Sequence, residues 1–376
     1  MKNKLLLSLT FSFILLYAGC KKMETDNSNY SNEPILPASP YNYTNSSNDN
    51  LATLGRVLFY DKKLSLNNSV SCGSCHKQIK AFADDKQFSV GLKDSVTRRN
   101  SPPVALHSAS LFWDGRAANF HDLALMPLVN HVEMMNYDIS RLVDKIQNTS
   151  YYPDLFVKAF GNSNVSIDHV QTAIAEFLGN FNFFNNKYVQ SWGGNITLTQ
   201  MELLGKSLFY GKAKCGNCHS GNTFSGWENG GECIGLDDEY TDNGIGERTH
   251  NTADNAKFRV PTLLNIEYTA PYMHDGRFNT LEEVVEHYNS GIHNHPNLSW
   301  ALQNTSSLDN LTEQQALLLL DLNHDGIIST DEMPAPVAVK LNLNNTEKKA
   351  LVAFLKALSD PSVFTDVRFN DPFVKR

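Results

Sequence analysis

Basic residues are the minority charge in this chain: 32 Lys and Arg stand against 40 Asp and Glu over 376 residues, a formal net charge of -8. No basic patch stands out, so nothing points to a nucleic acid as partner. Long hydrophobic runs are missing as well. The apolar stretch LLLSLTFSFILLY, residues 5–17, is too short to span a bilayer comfortably. It comes after Lys2 and Lys4 and leads into Ala18, Gly19 and Cys20, the plan of a secretory signal peptide over 1–19. Cysteine is scarce, with six in the whole chain, and the positions of those six decide what the chain can bind.

Cys20 directly after small residues resembles the lipobox of bacterial lipoproteins, although Tyr17 stands where leucine is more usual. An ordinary secretory signal with a chance cysteine is the alternative. On the first reading the mature chain is exported to the periplasm or cell envelope and meets the membrane through lipid at Cys20. Residues 20–50 are rich in Asn, Ser and Pro and poor in core formers, which predicts a flexible stalk. The remainder is long enough for two domains.

Four cysteines form two pairs, Cys72/Cys75 and Cys215/Cys218, each succeeded at once by a histidine, His76 and His219. Paired cysteines suit zinc, a redox disulfide or a covalent haem. Zinc ribbons space their two pairs by about 15–20 residues and need no histidine after each. C-x-x-C-H is the c-type haem pattern: two thiols form thioethers and the adjacent imidazole ligates iron. The chain is therefore expected to carry two covalent haems.

The surroundings repeat too. LGRVLFYDKK (54–63) and LGKSLFYGKA (204–213) precede the two sites, and SPPVALHSASLFWDGR (101–116) parallels VPTLLNIEYTAPYMHDGR (260–277). The expected fold is mainly α: two duplicated class I cytochrome c-like haem domains with long loops. The boundary falls near 191–200, where Gly-Gly precedes an N-cap at Thr199. This gives an N-terminal domain over 51–192 and a C-terminal domain over 193–376. Thr280 and Glu283 form a capping box opening a helix whose buried face carries Leu281, Val284, Val285 and Tyr288.

With C-x-x-C-H twice, RRNSP, FWDGR, N-x-V-E-M, PYMHDGRF and LEEVVEHYN, the chain from about 51 onward resembles the bacterial di-haem cytochrome c peroxidases and MauG-type enzymes. The resemblance implies a peroxide-reactive haem in the first domain and an electron-transfer haem in the second. It makes Glu133 the catalytic glutamate, where a surface carboxylate is the plainer alternative. Trp113 becomes the tryptophan between the haems. His274 and Arg277 fall near the second haem and its propionates. It places calcium at the domain interface on Asn100, Thr269 and Pro271. Tyr288 stands where classical members present an axial methionine and MauG-type members a tyrosine; a core tyrosine is the other reading.

Three departures matter. Leu92, Lys93 and Asp94 come after FSVG where many members carry a histidine that caps the first haem, so that haem is expected to be open. Leu123 replaces a glutamine, and His131 replaces the proline of N-P-V-E-M. Separately, DLNHDGIISTDE (321–332) reads as an EF-hand loop inserted over 311–334. Asp321, Asn323, Asp325, the Ile327 carbonyl, Ser329 and Glu332 supply calcium ligands, or form a structural turn.

Two functions are consistent with this sequence. One is a peroxidase reducing hydrogen peroxide with electrons from a small cytochrome c or cupredoxin, passed through the C-terminal haem. The other is a MauG-like oxidase acting on a partner protein. A pure electron carrier leaves Glu133 unexplained. Monomer and homodimer are both compatible with the sequence, and Cys233 is expected to be a free buried thiol.

Overall fold

A computed structural model describes residues 29–43, 48–104, 110–194, 196–226, 231–304 and 336–374. The expected signal peptide and the EF-hand loop lie outside the described residues. Among those described, no strand forms, only isolated bridges, and no helix is long and apolar enough to cross a membrane.

Nine helices of six residues or more organise the described chain: α1 Asp49–Tyr60, α2 Phe120–Val129, α3 Ile139–Gln147, α4 Tyr152–Phe160, α5 Ile167–Leu178, α6 Lys187–Trp192, α7 Gln200–Tyr210, α8 Leu281–Glu286 and α9 Asn345–Lys356. Their starts are written locally. Asn48 caps α1 by accepting the N–H groups of Asn50 and Leu51. Thr199 caps α7 and Thr280 caps α8, each in a reciprocal box with the glutamate three residues on. Both caps are where the sequence predicts them.

The duplication extends to single atoms. In the first unit α1 crosses α5 at Gly55, where an added Cβ would lie 1.9 Å from the Ala173 carbonyl oxygen. In the second, α7 crosses α9 at Gly205, where a Cβ would lie 1.9 Å from the Ala350 carbonyl oxygen. Backbone meets backbone at both crossings, so no side chain can move aside. Gly205→Ala should lower stability by about 3 kcal/mol, read as a drop in the thermal midpoint with both haems still attached. An unchanged midpoint would show that the crossing is looser than this.

Two apolar cores result, one per unit. The first gathers Phe59, Phe82, Phe177 and Phe181; the second gathers Phe209, Phe224, Tyr188 and Phe354. The chain passes between cores after Phe183 and before Tyr188. Helix α6 therefore packs with the second unit, a little earlier than the boundary expected at 192.

Two further expectations are corrected. Residues 29–43 belong to the body and not to a stalk. Tyr30 stacks on Phe373 with centroids 5.7 Å apart, the Arg56 guanidinium lies over the Tyr41 ring, and Tyr43 is buried, donating to the Arg368 carbonyl at 3.0 Å. Tyrosines set within a polar stretch anchor it, each ring removing apolar area from water. The C-terminal end, assigned to the second domain, returns to the first. Phe369 sits among Phe177, Phe181 and Phe183, and burying such a ring contributes about 2–3 kcal/mol. The Phe369 carbonyl accepts from Tyr60 at 2.6 Å, and Gln78 donates to the Val363 and Asp366 carbonyls.

Two candidate haem sites and the wall between them

Each C-x-x-C-H motif opens on a cavity. Cys72, Cys75 and His76 line one of about 420 Å³; Cys215, Cys218 and His219 line another of about 170 Å³. His76 Nδ1 donates to the Phe82 carbonyl at 2.9 Å, and His219 Nδ1 to the Phe224 carbonyl at 2.9 Å. A carbonyl can only accept, so Nδ1 carries the proton and the lone pair is on Nε2, the tautomer that ligates metal. Burial lowers both imidazoles, keeping them neutral.

All four motif thiols are free. Burial pushes Cys72 up to about 12, Cys75 to about 11, and Cys215 and Cys218 to about 12. Such raised values keep the thiols protonated, unlike the lowered nucleophilic cysteine of a redox C-x-x-C pair. Two thiols and a neutral imidazole around an apolar cavity fit a covalent haem, and they do so twice.

Glu133 lines the first cavity. Helix α2 ends at Val129, and the next turn holds the glutamate by its backbone: Glu133 N–H donates to the Asn130 carbonyl at 3.2 Å. Asn130 Nδ2 donates to Glu133 Oε1 at 3.0 Å. Burial raises this carboxyl above the usual range, against the opposing field of Arg116. The loop after FSVG clamps the turn. Leu92 N–H donates to the Glu133 carbonyl at 3.1 Å, and Ser95 Oγ to the Val132 carbonyl at 2.6 Å. A Cβ on Gly91 would lie 1.8 Å from the Val132 oxygen, so glycine alone allows this approach. Leu92 itself is fully buried, and His131 is exposed at the rim of the cavity.

Tyr288 lines the second cavity with Leu281, Val284 and Val285, as the helical spacing predicts. It lies in a π-helical turn, His287–Gly291, continuing α8; such turns re-aim side chains and concentrate at functional sites. Burial raises its phenol. Met273 lines the same cavity and is a second candidate ligand that the motifs alone do not reveal.

Trp113 and Arg259 line both cavities. The wall they form is built symmetrically from the two repeats. Asn100 N–H donates to the His274 carbonyl at 2.7 Å, and Arg259 N–H to the Trp113 carbonyl at 2.8 Å. In the repeat, Asn100 corresponds to Arg259 and Trp113 to His274, so each unit reaches across to the other. Trp113 Nε1 donates to the Asn100 carbonyl at 2.8 Å. Arg99 locks the wall from outside, pairing bidentately with Asp242 at 2.7 Å and with Asp114 at 2.7 Å.

His274 lines the second cavity, and burial pulls it down to about 4, so it is neutral. Arg277 does not join it. Its guanidinium is held by Asp237 and Asp275 at 2.6 Å each, because both acids reach it from its own unit. Arg259, absent from the residues expected on sequence grounds, is the half-buried cation of the wall, lowered to about 10 by desolvation. Aligning the repeats one residue further back, Arg259 on Asn100, would have found it. Asn100, Thr269 and Pro271 all line the second cavity. Asn100 Nδ2 donates to the Lys86 and Gln87 carbonyls, which fixes the orientation of its amide.

The family model for di-haem cytochrome c peroxidase matches residues 49–196. The cytochrome c551 peroxidase of Nitrosomonas europaea is 37% identical over 265 residues, covering 68% of this chain and 77% of that protein. The methylamine utilization protein MauG of Methylophilus methylotrophus is 30% identical over 276 residues, covering 72% and 81%. Among solved structures, a MauG-like protein associated with microbial copper homeostasis superposes with a TM-score of 0.70 at 28% identity, over 90% of this chain and 97% of that one. Both the motifs and the relatives lead to one assignment: the chain belongs to the di-haem cytochrome c peroxidase and MauG family, and is an oxidoreductase of two c-type haems.

Proposed function

We propose that this protein reduces hydrogen peroxide to water at the first site, with electrons from a small redox protein such as a cytochrome c or a cupredoxin passed through the second. The observation that carries this reading is Glu133, a half-buried carboxyl with a raised pKa, hydrogen-bonded by Asn130 on the wall of the cavity that holds Cys72, Cys75 and His76. Haems held by those residues and by Cys215, Cys218 and His219 would supply the iron that accepts and passes single electrons. Glu133 moves a proton from the inner to the outer peroxide oxygen so that the outer one leaves as water. Asn130 orients it, and the loop at Gly91–Ser95 holds it in place without offering a histidine to the first site. Trp113 would carry an electron or hole across the wall, and Arg259, which lines both cavities, would offset propionate charge there.

The setting of this reaction is part of the proposal. The chain is exported and held at the membrane by lipid on Cys20. Calcium sits at Asn100, Thr269 and Pro271, where carbonyl and amide oxygens suit a hard cation, and in the loop Asp321–Glu332.

Tyr288 on the second cavity favours a second reading, a MauG-like oxidase that uses the same pair of haems to oxidise residues of a partner protein. Steady-state kinetics with hydrogen peroxide and a reduced small cytochrome separate the two. Saturable turnover of the donor is expected for the peroxidase. Peroxide consumption without donor oxidation, together with modification of a co-exported protein, would transfer the assignment to the oxidase.

A further inference from the structure

A run of ring contacts leads from the wall between the cavities toward the surface, and the roles assigned so far make no use of it. The Trp113 and His274 rings have centroids 6.5 Å apart, and His274 is stacked on Phe258 at 3.8 Å. Tyr240 lies nearly parallel to His274 at 6.4 Å, and it meets His295 edge-on at 5.2 Å. Trp113 is buried, Tyr240 is half-buried, and His295 is half-exposed.

Tyrosine gives up an electron at accessible potentials only when its phenolic proton leaves with it, because the oxidised phenol is a very strong acid. The site provides that exit. The Tyr240 oxygen accepts the Leu236 N–H at 2.6 Å, which leaves its own hydrogen to donate. The Cys233 thiol is its hydrogen-bonding neighbour. Cys233 Sγ lies 3.5 Å from His295 Nδ1, and that nitrogen also accepts the Asn297 N–H at 3.1 Å. An Nδ1 that accepts a backbone donor carries a lone pair, so the thiol hydrogen points to it. These contacts point to one order: Tyr240 O–H toward Cys233 Sγ, and Cys233 S–H toward His295 Nδ1. Burial raises the phenol and the thiol and lowers the imidazole, so donors start protonated and the final acceptor starts neutral.

The geometry points to Tyr240 as a redox-active relay that fills a hole on Trp113 across the His274 stack and releases its proton through Cys233 to His295. In this step Tyr240 loses one electron to the oxidised indole and one proton to the sulfur, while the sulfur passes its own proton to His295. The products are a neutral phenoxyl radical on Tyr240, a restored Trp113 and a protonated His295. Hydrogen peroxide is the terminal oxidant. Its reduction to two waters takes two electrons and two protons; Tyr240 supplies one electron, its proton staying on His295, while the donor protein or a second side chain supplies the other electron and water supplies the two protons through Glu133. The relay rests on the peroxide reading and adds to it a route by which an unused oxidising equivalent leaves the wall when no donor is present.

The test is rapid freezing of the holoprotein after mixing with hydrogen peroxide and no donor, read by electron paramagnetic resonance, with peroxide consumption tracked in the same samples. A tyrosine-type radical is expected, narrowed by ring-deuterated tyrosine, lost in Tyr240→Phe and diminished in His295→Leu. A nitroso trap should place its adduct on Tyr240 by peptide mass, a measurement on the unsubstituted protein that does not depend on either variant folding. Peroxide consumed with the adduct elsewhere, or with the radical unaltered in Tyr240→Phe, overturns the relay and leaves the peroxidase reading standing. No peroxide consumption overturns both.

Discussion

Glu133→Gln lowers peroxide turnover by about 10² or more, with both haems still attached. The substitution keeps the side chain's size and its place beside Asn130, which donates to Oε1 at 3.0 Å. What it removes is the group that accepts and returns a proton. Burial is the larger influence on this carboxyl, and it raises the pKa. The effect works in favour of the reaction, because a carboxyl poised closer to neutral pH both takes and gives a proton more readily than one at the ordinary value. Initial rates of peroxide consumption, with haem content from the pyridine spectrum, check it. Near-normal rates would make Glu133 a structural residue of the turn after α2, and the first cavity would lose its proton carrier.

The second large effect is on the other haem. Tyr288→Phe should alter the ferric spectra of the second site, and Tyr288→Met should raise its reduction potential where the new sulfur ligates. Tyr288 lines the second cavity from the π-helical turn after α8. Burial raises its phenol, and the charge of ferric iron would act in the opposite direction, toward phenolate. An anionic oxygen ligand favours ferric over ferrous iron, so this haem should resist reduction more than one with a His and Met pair. Met273 lines the same cavity, which makes the experiment discriminating. A near-infrared His/Met band in the unsubstituted protein, or spectra unaltered in Tyr288→Phe, would assign the ligand to Met273 and strengthen the peroxidase reading against the oxidase.

The sequence was legible where chemistry is contiguous. Helix starts at Thr199 and Thr280 could be read because a cap and its glutamate lie three residues apart. The tyrosines at 30, 41 and 43 could not be read in the same way. Their stretch is polar on average, and nothing local states that Phe373 and Arg56 wait for them across the chain. The clamp on Arg277 could not be read for a related reason: its two acid partners lie 2 and 40 residues away in sequence, and only the second, distant one completes it.

By itself, then, the sequence determined two covalent haem sites, a duplicated helical plan and the family, because a c-type site needs its two thiols and its imidazole within five consecutive residues. Tertiary structure alone decided the wall between the sites. Trp113, Asn100, Arg259 and His274 meet there only because each repeat donates a backbone N–H to the carbonyl of the other. It also decided which cation lines both cavities, which residues line the second site, and that both ends of the described chain close over the first core. Each of these depends on contacts between residues far apart in the chain, which exist only once loop closure has been compensated by burial.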